Sequence, residues 1–205
     1  MNIDFGDLNS REIYKTMIQM VIPRPIAWVL SINSSGSYNL APFSYFNIVG
    51  SNPPLISMSI GCKQDGELKD TWRNIEAREF FTVHIPQVEH AQLVTDSAKP
   101  LPAEESEVTA LGLKTIDSAS FPVPRLENCK AAFFCRKEKI IELGDGPQGM
   151  IIGRVQGVYL DNACATRDEG QIKIDPLLLN PLARLGGNDY CELGRVFTIT
   201  PSVEK

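Results

Sequence analysis

The spacing of apolar and polar residues along the chain predicts many short strands. Apolar, β-branched residues fill positions 26–33 and Ser-Ser-Gly-Ser follows at 34–37, so a buried strand and a tight reversal are expected there. A second strand is predicted over 39–47, and a third reaches Gly61 after the Pro53-Pro54 break. Further strands are predicted over 79–86, 125–143 and 150–160, with a turn at 144–149 and a short strand after Ile172.

Helical spacing occurs in few places. With Ser10 as N-cap, residues 10–20 place Ile13, Met17 and Ile18 on one side of a helix. A second helix is predicted near 70–77, capped by Asp70 or Thr71, a third over 87–97, and a helical turn within 99–107. Many strands with hairpin-length turns and few helices predict a mainly β, antiparallel barrel with peripheral helices. The absence of repeats and composition shifts predicts one domain over residues 1–205.

Composition and charge narrow the choice of partners. The chain has 205 residues, 43% hydrophobic and 22% charged, which is typical of a globular protein. Its net charge of −5 and the lack of a Lys/Arg run predict no binding to nucleic acid. No apolar run approaches the roughly 20 residues that span a bilayer, and the acidic N-terminus does not resemble a signal peptide. We therefore expect no membrane association and a cytoplasmic protein.

The cysteines and histidines give little indication of a metal site. The five cysteines are scattered and lack CxxC spacing, and the only histidines are His84 and His90, so neither structural zinc nor disulfides are expected. Cys129 and Cys135 are expected to be small core residues, because free cysteine is among the most buried residue types.

Residues 39–47 carry the most unusual composition. They combine a proline, two asparagines and a serine with three aromatic residues, a mixture typical of a strand that offers a ligand both hydrogen bonds and a flat apolar surface. The GxGxxG match at 144–149 lies in the turn between two predicted strands and opens no helix, so it does not indicate a Rossmann dinucleotide site. The sequence has no Walker A pattern, no GxSxG turn and no persuasive Cys-His pair. A cofactor would therefore be bound by some other arrangement.

Five blocks in order resemble one known family. They read PRPIAWV at 23–29, NLAPFSYFN at 39–47, NPPL at 52–55, KDT at 69–71 followed by Asn74-Ile75, and RLGG at 184–187 followed by Tyr190. The chain thus resembles the flavin reductase-like, FMN-binding split β-barrel proteins, which include flavoredoxins and the reductase components of two-component monooxygenases. The resemblance implies an antiparallel split β-barrel with Greek-key character. It also implies bound FMN, NADH or NADPH as electron donor, and a homodimer with the flavin near its interface.

An FMN site needs a phosphate cradle, polar partners for the ring and a flat apolar wall. The phosphate cradle and the polar partners could come from the hydroxyls of Ser44 and Thr71 and the charges of Lys69 and Arg24. The apolar wall could be Tyr45, Phe46 or Trp28. The resemblance implies that 39–47 and 69–71 hold the phosphate and ring, and that Arg184 and Tyr190 lie near the flavin or across the dimer. The predicted cofactor-binding residues are Arg24, Asn39, Ala41, Pro42, Ser44, Tyr45, Phe46, Ser59, Ile60, Lys69, Asp70, Thr71 and Arg184.

Several of these residues also have simple structural interpretations. Trp28 and Phe43 suit a core, and Asp70 suits a helix cap. Lys69 by itself suits a solvated surface. Arg24 is held in extended backbone between two prolines, which favours a fixed functional pose but also suits a structural salt bridge.

The expected function is an NAD(P)H:flavin reductase in which flavin N5 carries the chemistry and no side chain is catalytic. Reduced flavin would pass to a monooxygenase, another electron-transfer partner or oxygen. The similar reductases commonly have Gly-Asp-His where residues 144–149 read Gly-Asp-Gly-Pro-Gln-Gly, so Gln148 or a neighbour replaces the histidine. This departure counts against fast NAD(P)H oxidation. Two alternatives therefore remain: a flavoredoxin-like electron carrier, and a non-enzymatic flavin- or haem-binding module. NADH versus NADPH and FMN versus FAD stay open.

Overall fold

A computed structural model describes residues 1–63, 65–102, 105–144, 146, 148–200 and 202. The described residues form five α-helices: α1 Ser10–Met20, α2 Asp70–Arg78, α3 Ala91–Asp96, α4 Glu107–Ala110 and α5 Pro176–Leu179. The strands are β1 Arg24–Pro25, β2 Ala27–Ile32, β3 Tyr38–Phe43, β4 Phe46–Ser51, β5 Pro54–Gly61, β6 Phe80–Ile85, β7 Thr115–Ser118, β8 Phe121–Leu126, β9 Ala131–Leu143, β10 Gln148–Leu160, β11 Ala165–Asp168, β12 Gln171–Ile174, β13 Ala183–Arg184 and β14 Tyr190–Cys191. Short 3₁₀ helices lie at Phe5–Asp7 and Val88–His90.

Seven strands form one antiparallel sheet in the order β3-β2-β6-β9-β10-β5-β4. The edge strands β3 and β4 are joined by Ser44 and Tyr45 alone. Three Cα–Cα steps span at most about 11 Å, whereas the edges of a flat seven-stranded sheet would lie about 29 Å apart. The sheet must therefore curl until its two edges meet at Ser44-Tyr45.

The main core fills the inside of this curled sheet. All seven strands contribute to it, and Trp72 and Ile75 of α2 pack against the same cluster. The shared core residues are Ala27, Val29, Phe43, Phe46, Ile56, Met58, Ile60, Trp72, Ile75, Phe81, Val83, Cys135 and Ile151. Closure of the sheet around one apolar cluster is thus visible in the packing as well as in the connection between the edges.

A second core covers the outer face of β2. Alternate residues of this strand point to opposite faces, so Ala27 and Val29 enter the main core while Trp28 and Leu30 enter the second one. The second core includes residues of α3, α4 and β8, among them Val94, Val108 and Val123. The remaining strands form three smaller sheets, β1-β13-β14, β7-β8 and β11-β12. Burial on both faces explains why residues 26–33 are almost uniformly apolar.

The predicted strand boundaries are wrong in two places. Residues 39–47 form two strands, β3 and β4, because the chain crosses between sheet edges at Ser44-Tyr45. Residues 125–143 likewise divide into the end of β8 and the whole of β9, which belong to different sheets. Strands β7 and β11 were not predicted. The helix predicted over 87–97 is a 3₁₀ turn followed by α3, and in the loops predicted at 99–107 and 144–149, residues 103, 104, 145 and 147 lie outside the described residues.

The predicted helix caps are also wrong. The N-cap of α1 is Asn9, whose side chain accepts from the amides of Arg11 and Glu12, and Glu12 completes a capping box. The N-cap of α2 is Lys69, which makes no side-chain capping bond, so neither Asp70 nor Thr71 caps this helix. Within the described part of the chain, none of the helices is long and apolar enough to cross a membrane.

The prediction for Cys129 and Cys135 is confirmed, since both thiols are buried. Burial raises the pKa of Cys129 to about 12 and raises that of Cys135 as well, so both side chains behave as small apolar residues.

Candidate functional site

The crossing between the sheet edges forms one side of a cavity of about 370 Å³. Ser44, Tyr45 and the neighbouring ends of β3 and β4 face helix α1 and the segment that follows it. The lining residues are Met17, Ile18, Val21, Pro23, Arg24, Pro25, Ser44, Tyr45, Phe46 and Asn47. Four predicted cofactor-binding residues, Arg24, Ser44, Tyr45 and Phe46, are thus brought together. Burial is the main cause that raises the pKa of the Tyr45 phenol, with Tyr14 adding to it.

Arg24 is buried, and its guanidinium is bonded to the protein itself. Nη1 donates to the carbonyls of Ile18 and Val21 (2.9 Å to Val21), and Nη2 donates to the carbonyl of Leu185 at 2.6 Å. Nε lies 3.4 Å from Ser44 Oγ at the cavity wall. Three backbone acceptors therefore hold the side chain. Among the described residues Arg24 makes these charge-assisted bonds to carbonyls instead of the salt bridge that was one of its two interpretations.

Lys69 extends the site from the cavity towards the N-terminus of α2. Its Nζ lies 5.8 Å from the centre of the Phe43 ring, and Phe43 immediately precedes Ser44. Asp70 is occupied by ion pairs with Lys63 at 3.2 Å and with Arg73. An exposed cation next to a helix N-terminus is well placed to meet an anion, so Lys69 rather than Asp70 offers charge to a ligand.

Asn39 and Thr71 lie underneath this surface in a buried polar network. Asn39 Nδ2 donates to Thr71 Oγ1 at 2.9 Å and to Ser31 Oγ at 3.3 Å, and Asn74 Nδ2 donates to Asn33 Oδ1 at 2.8 Å. Both Asn39 and Thr71 are at least nine-tenths buried. These side chains fix the first turn of α2 on β2 and β3, and their contact with a flavin stays a prediction.

The predicted ring-edge residues lie on both sides of the sheet. The amide of Ser59 donates to the carbonyl of Tyr45 at 2.9 Å, which links β5 to the edge crossing. Ser59 Oγ accepts from Gln148 Nε2 at 2.6 Å. Ile60 is fully buried in the main core, whereas Ala41 and Pro42 are half-buried on β3. Only the backbone of Ile60 is therefore suited to meet a ligand.

Arg184 lies opposite Arg24 in the pairing of β13 with β1. Its guanidinium stacks 4.4 Å from the Tyr190 ring centre and donates to the Gly187 carbonyl at 2.6 Å. Tyr190 Oη lies 2.9 Å from Thr95 Oγ1. The Arg184–Gly187 turn and Tyr190 thus form one half-buried unit behind Arg24.

The two histidines have structural positions. His84 is fully buried between the Trp28 carbonyl and the Leu126 amide, and the Gln87 amide donates to His90 Nδ1. Burial is the main cause that lowers the pKa of both, to about 4 for His84. Neither ring is arranged for proton transfer at the cavity. Trp28 is buried as well and donates to Ser97 at 2.9 Å, which confirms its interpretation as a core residue.

The sequence model of the flavin reductase-like domain matches residues 19–181, which is most of the chain. The chain belongs to the flavin reductase-like family. It is similar to nitrilotriacetate monooxygenase component B from Bacillus cereus, with 34% identity, a TM-score of 0.90 and coverage of 97% of this chain and 98% of that one. It is also similar to 2-nitrobenzoate 2-nitroreductase from Pseudomonas fluorescens, with 31% identity and a TM-score of 0.88. That match covers 98% of this chain and 97% of that one. A split-barrel structure from Shewanella frigidimarina is 19% identical, with a TM-score of 0.83 and coverage of 98% of this chain and 100% of that one. At this identity it supports the fold alone.

The family and the fold class predicted from the sequence are therefore confirmed: this flavin reductase-like chain is an antiparallel split barrel. The site residues stay predictions, but the structure connects them. Lys69 Nζ lies 5.8 Å from the ring centre of buried Phe43, and the next residue, Ser44, lines the cavity. The Ser59 amide bonds to the carbonyl of Tyr45, which also lines it.

Sequence reasoning missed two parts of this flavin reductase-like site. The wall formed by α1 was not predicted as part of it, although Met17, Ile18 and Val21 had the spacing of one helix face. The bond between Gln148 and Ser59 was missed too, because the two residues are 89 positions apart. Only the pairing of β10 with β5 brings them together.

Proposed function

We propose that this protein is an FMN-binding oxidoreductase, and more specifically an NAD(P)H:flavin reductase. The observation that carries the proposal is the composition of the site: a hydroxyl and aromatic side chains line the cavity, and Lys69 lies beyond the neighbouring Phe43 ring. Both histidines are buried and bonded elsewhere. Such a site binds and orients but does not itself move protons. Bound flavin would supply the chemistry by accepting a hydride at N5.

The residues present fit the chemical groups of FMN. Lys69, exposed beside the N-terminus of α2, suits the phosphate, and Ser44 Oγ suits a polar partner of the ribityl chain or ring. Tyr45 and Phe46 offer an apolar surface, and the backbone at residues 41–47 and 59–60 offers amides and carbonyls for the ring edge. Asn39, Thr71 and Arg184 support these groups from behind.

The relatives favour the same class of reaction. Two relatives above 30% identity are named as a monooxygenase component and a nitroreductase, and both names describe oxidoreductases. By analogy with the first, we propose that reduced flavin or its electrons pass to a separate monooxygenase or another acceptor. The location in the cytoplasm and a single domain over residues 1–205 remain predictions.

A homodimer is part of the proposal. Apolar side chains are exposed on α1 and the segment after it, and on Tyr45 and the edge strand β4. They are Tyr14, Met17, Met20, Val21, Ile22, Tyr45, Ile48 and Val49. Exposed apolar residues gathered on neighbouring elements are typical of a protein interface. A second copy on this face would shield both the sheet edge and the open side of the cavity.

The test is the visible absorbance of the purified protein before and after FMN is added, followed by anaerobic NADH and then NADPH. We expect a flavin spectrum that bleaches within seconds with one nucleotide, which also sets the nucleotide preference. Bleaching only with dithionite would replace the reductase by the electron carrier. A haem spectrum, or a colourless protein that takes up no FMN, would overturn the flavin proposal.

A further inference from the structure

We propose that Arg24 is a positioning residue: it fastens helix α1 as the outer wall of the flavin cavity and does not bind the flavin phosphate. The inference rests on the proposed function, because it assigns a role within the proposed flavin site. It concerns how that site keeps its shape. The proposed phosphate partner remains Lys69, on the far side of Phe43.

The contacts of Arg24 support this role. Its side chain is only 6% exposed, and none of the ion pairs within the described ranges involves it. Its donors instead meet the carbonyls of Ile18 and Val21 at the C-terminal end of α1 and that of Leu185 beyond β13. Carbonyls at a helix C-terminus carry partial negative charge, so they attract a cation. One guanidinium thus joins the helix to a loop 161 residues away.

Helix α1 has few other attachments. Ile18 is its only buried residue, while Met17 and Met20 are 46% and 75% exposed. Gln19 lies against Gly186, where an added Cβ would sit 2.4 Å from Gln19 Cγ. A helix with so little buried apolar surface depends on specific contacts to stay in place. The Arg24 bonds and the close approach at Gly186 are those contacts.

The helix in turn forms the cavity wall. Met17, Ile18 and Val21 face Ser44, Tyr45 and Phe46 across the cavity. Loosening α1 would remove this wall and expose the ring-binding side to water, whereas Lys69 would stay where α2 holds it. Loss of Arg24 should therefore weaken the binding of every flavin equally, with or without a phosphate.

The first test uses the protein without added flavin. Hydrogen exchange of the α1 amides is compared between wild type and Arg24→Gln, and exchange about tenfold faster is expected in α1 because charge-assisted bonds are lost. The amides of α2 and β10 should exchange at the wild-type rate. Unchanged exchange in α1 of a folded Arg24→Gln protein would overturn the proposal.

The second test compares affinity for FMN and for riboflavin, which lacks the phosphate. We expect Arg24→Gln to weaken both by a similar factor of about ten, and Lys69→Gln to weaken FMN alone. Gly186→Ala, which displaces Gln19 without touching Arg24, should act like Arg24→Gln. Gly194→Ala is the matched control, since its added Cβ meets nothing within 4 Å.

The outcomes separate the two proposals. If Arg24→Gln weakens FMN but not riboflavin, Arg24 binds the phosphate and the positioning role is wrong. If Arg24→Gln does not fold, Arg24→Lys and Gly186→Ala decide the comparison in the same two assays. If wild type binds neither flavin, the proposed function fails, while the exchange of α1 still decides whether Arg24 fastens the helix.

Discussion

At the scale of single residues, His84 has a protonation state that its neighbours determine. Its Nδ1 lies 3.0 Å from the Trp28 carbonyl and its Nε2 lies 2.9 Å from the Leu126 amide nitrogen. The carbonyl can only accept and the amide can only donate, so Nδ1 carries the proton and Nε2 is an acceptor. Protonation would put a second N–H against the Leu126 amide in a fully buried place, and burial lowers the pKa to about 4.

We predict that His84 makes stability depend on pH between about 4 and 6.5. The unfolded chain binds a proton at His84 below its ordinary pKa of 6.5, and the folded chain only below about 4. The free energy of unfolding therefore falls as the pH is lowered through this window, by at most about 3 kcal/mol, and levels off below it. Urea denaturation at several pH values, compared with His84→Gln, measures the difference. Equal pH dependence in the two proteins would contradict the prediction.

At position 149 a tertiary contact leaves room only for glycine. A Cβ at this position would lie 2.2 Å from the Trp72 ring, which plugs the barrel from α2. We predict that Gly149→Ala lowers the free energy of unfolding by about 1–3 kcal/mol, as overpacked cores do. Gly157→Ala in the same strand is the control, because its nearest neighbour would be 3.8 Å away. Equal midpoints in thermal or urea denaturation of the two variants would show that Trp72 moves aside freely.

At the scale of elements, the placement of α2 depends on polar side chains under its first turn. Lys69 makes no capping bond at the N-cap, so the helix is held instead by Asn39 of β3 and by Asn74, which reach Thr71 and Asn33. Buried polar groups that are fully bonded specify one arrangement, since any other would leave them unpaired. This network therefore determines where Lys69 stands relative to the cavity.

We predict that the Asn39–Thr71 bond couples stability to flavin binding. Asn39→Ala should lower the free energy of unfolding by about 1–3 kcal/mol, because it leaves Thr71 Oγ1 buried without its donor. A double-mutant cycle with Thr71→Val should then show coupling of about 0.5–3 kcal/mol. FMN affinity should fall in each variant through displacement of Lys69. Additive effects on stability would mean that the two side chains act independently.

At the scale of the whole molecule, the curled sheet ends at β4, an edge strand with exposed apolar side chains. Ile48 and Val49 are 66% and 54% exposed, and α1 adds Met20 at 75%. An edge strand with exposed apolar side chains and unpaired backbone groups promotes association unless another chain covers it. The proposed second copy supplies that cover.

We predict that Ile48→Glu shifts the protein from dimer to monomer without unfolding it. A charge in the centre of an apolar interface is costly, whereas an exposed position in the monomer tolerates it within about 0.5 kcal/mol. Sedimentation velocity over a range of concentrations measures the change. Ile116→Glu, on β7 and 37% exposed, is the matched control. A wild-type protein that sediments as a monomer would contradict the prediction outright.

The sequence predicted much of this architecture because several signals act locally. Helix α1, the reversal at 34–37 and the strands around 26–33 and 79–86 follow from spacing and turn residues alone. The five blocks identified the family. Residues 44–47 of the aromatic and polar run at 39–47 line the candidate cavity, while their contact with a flavin stays a prediction. The division of that run into β3 and β4 escaped prediction, because nothing in the local pattern says that neighbouring strands lie at opposite edges of a sheet.

The sequence by itself thus determined the fold class and the family. Only the tertiary structure decided what the residues at the site touch: Arg24 bonds to the Leu185 carbonyl, Asn39 to Thr71, and Gln148 to Ser59. The physical reason is the sequence separation over which each kind of interaction acts. Propensity, spacing and turn chemistry act over a few residues, whereas these hydrogen bonds join positions up to 161 apart, which become neighbours only when the sheet closes.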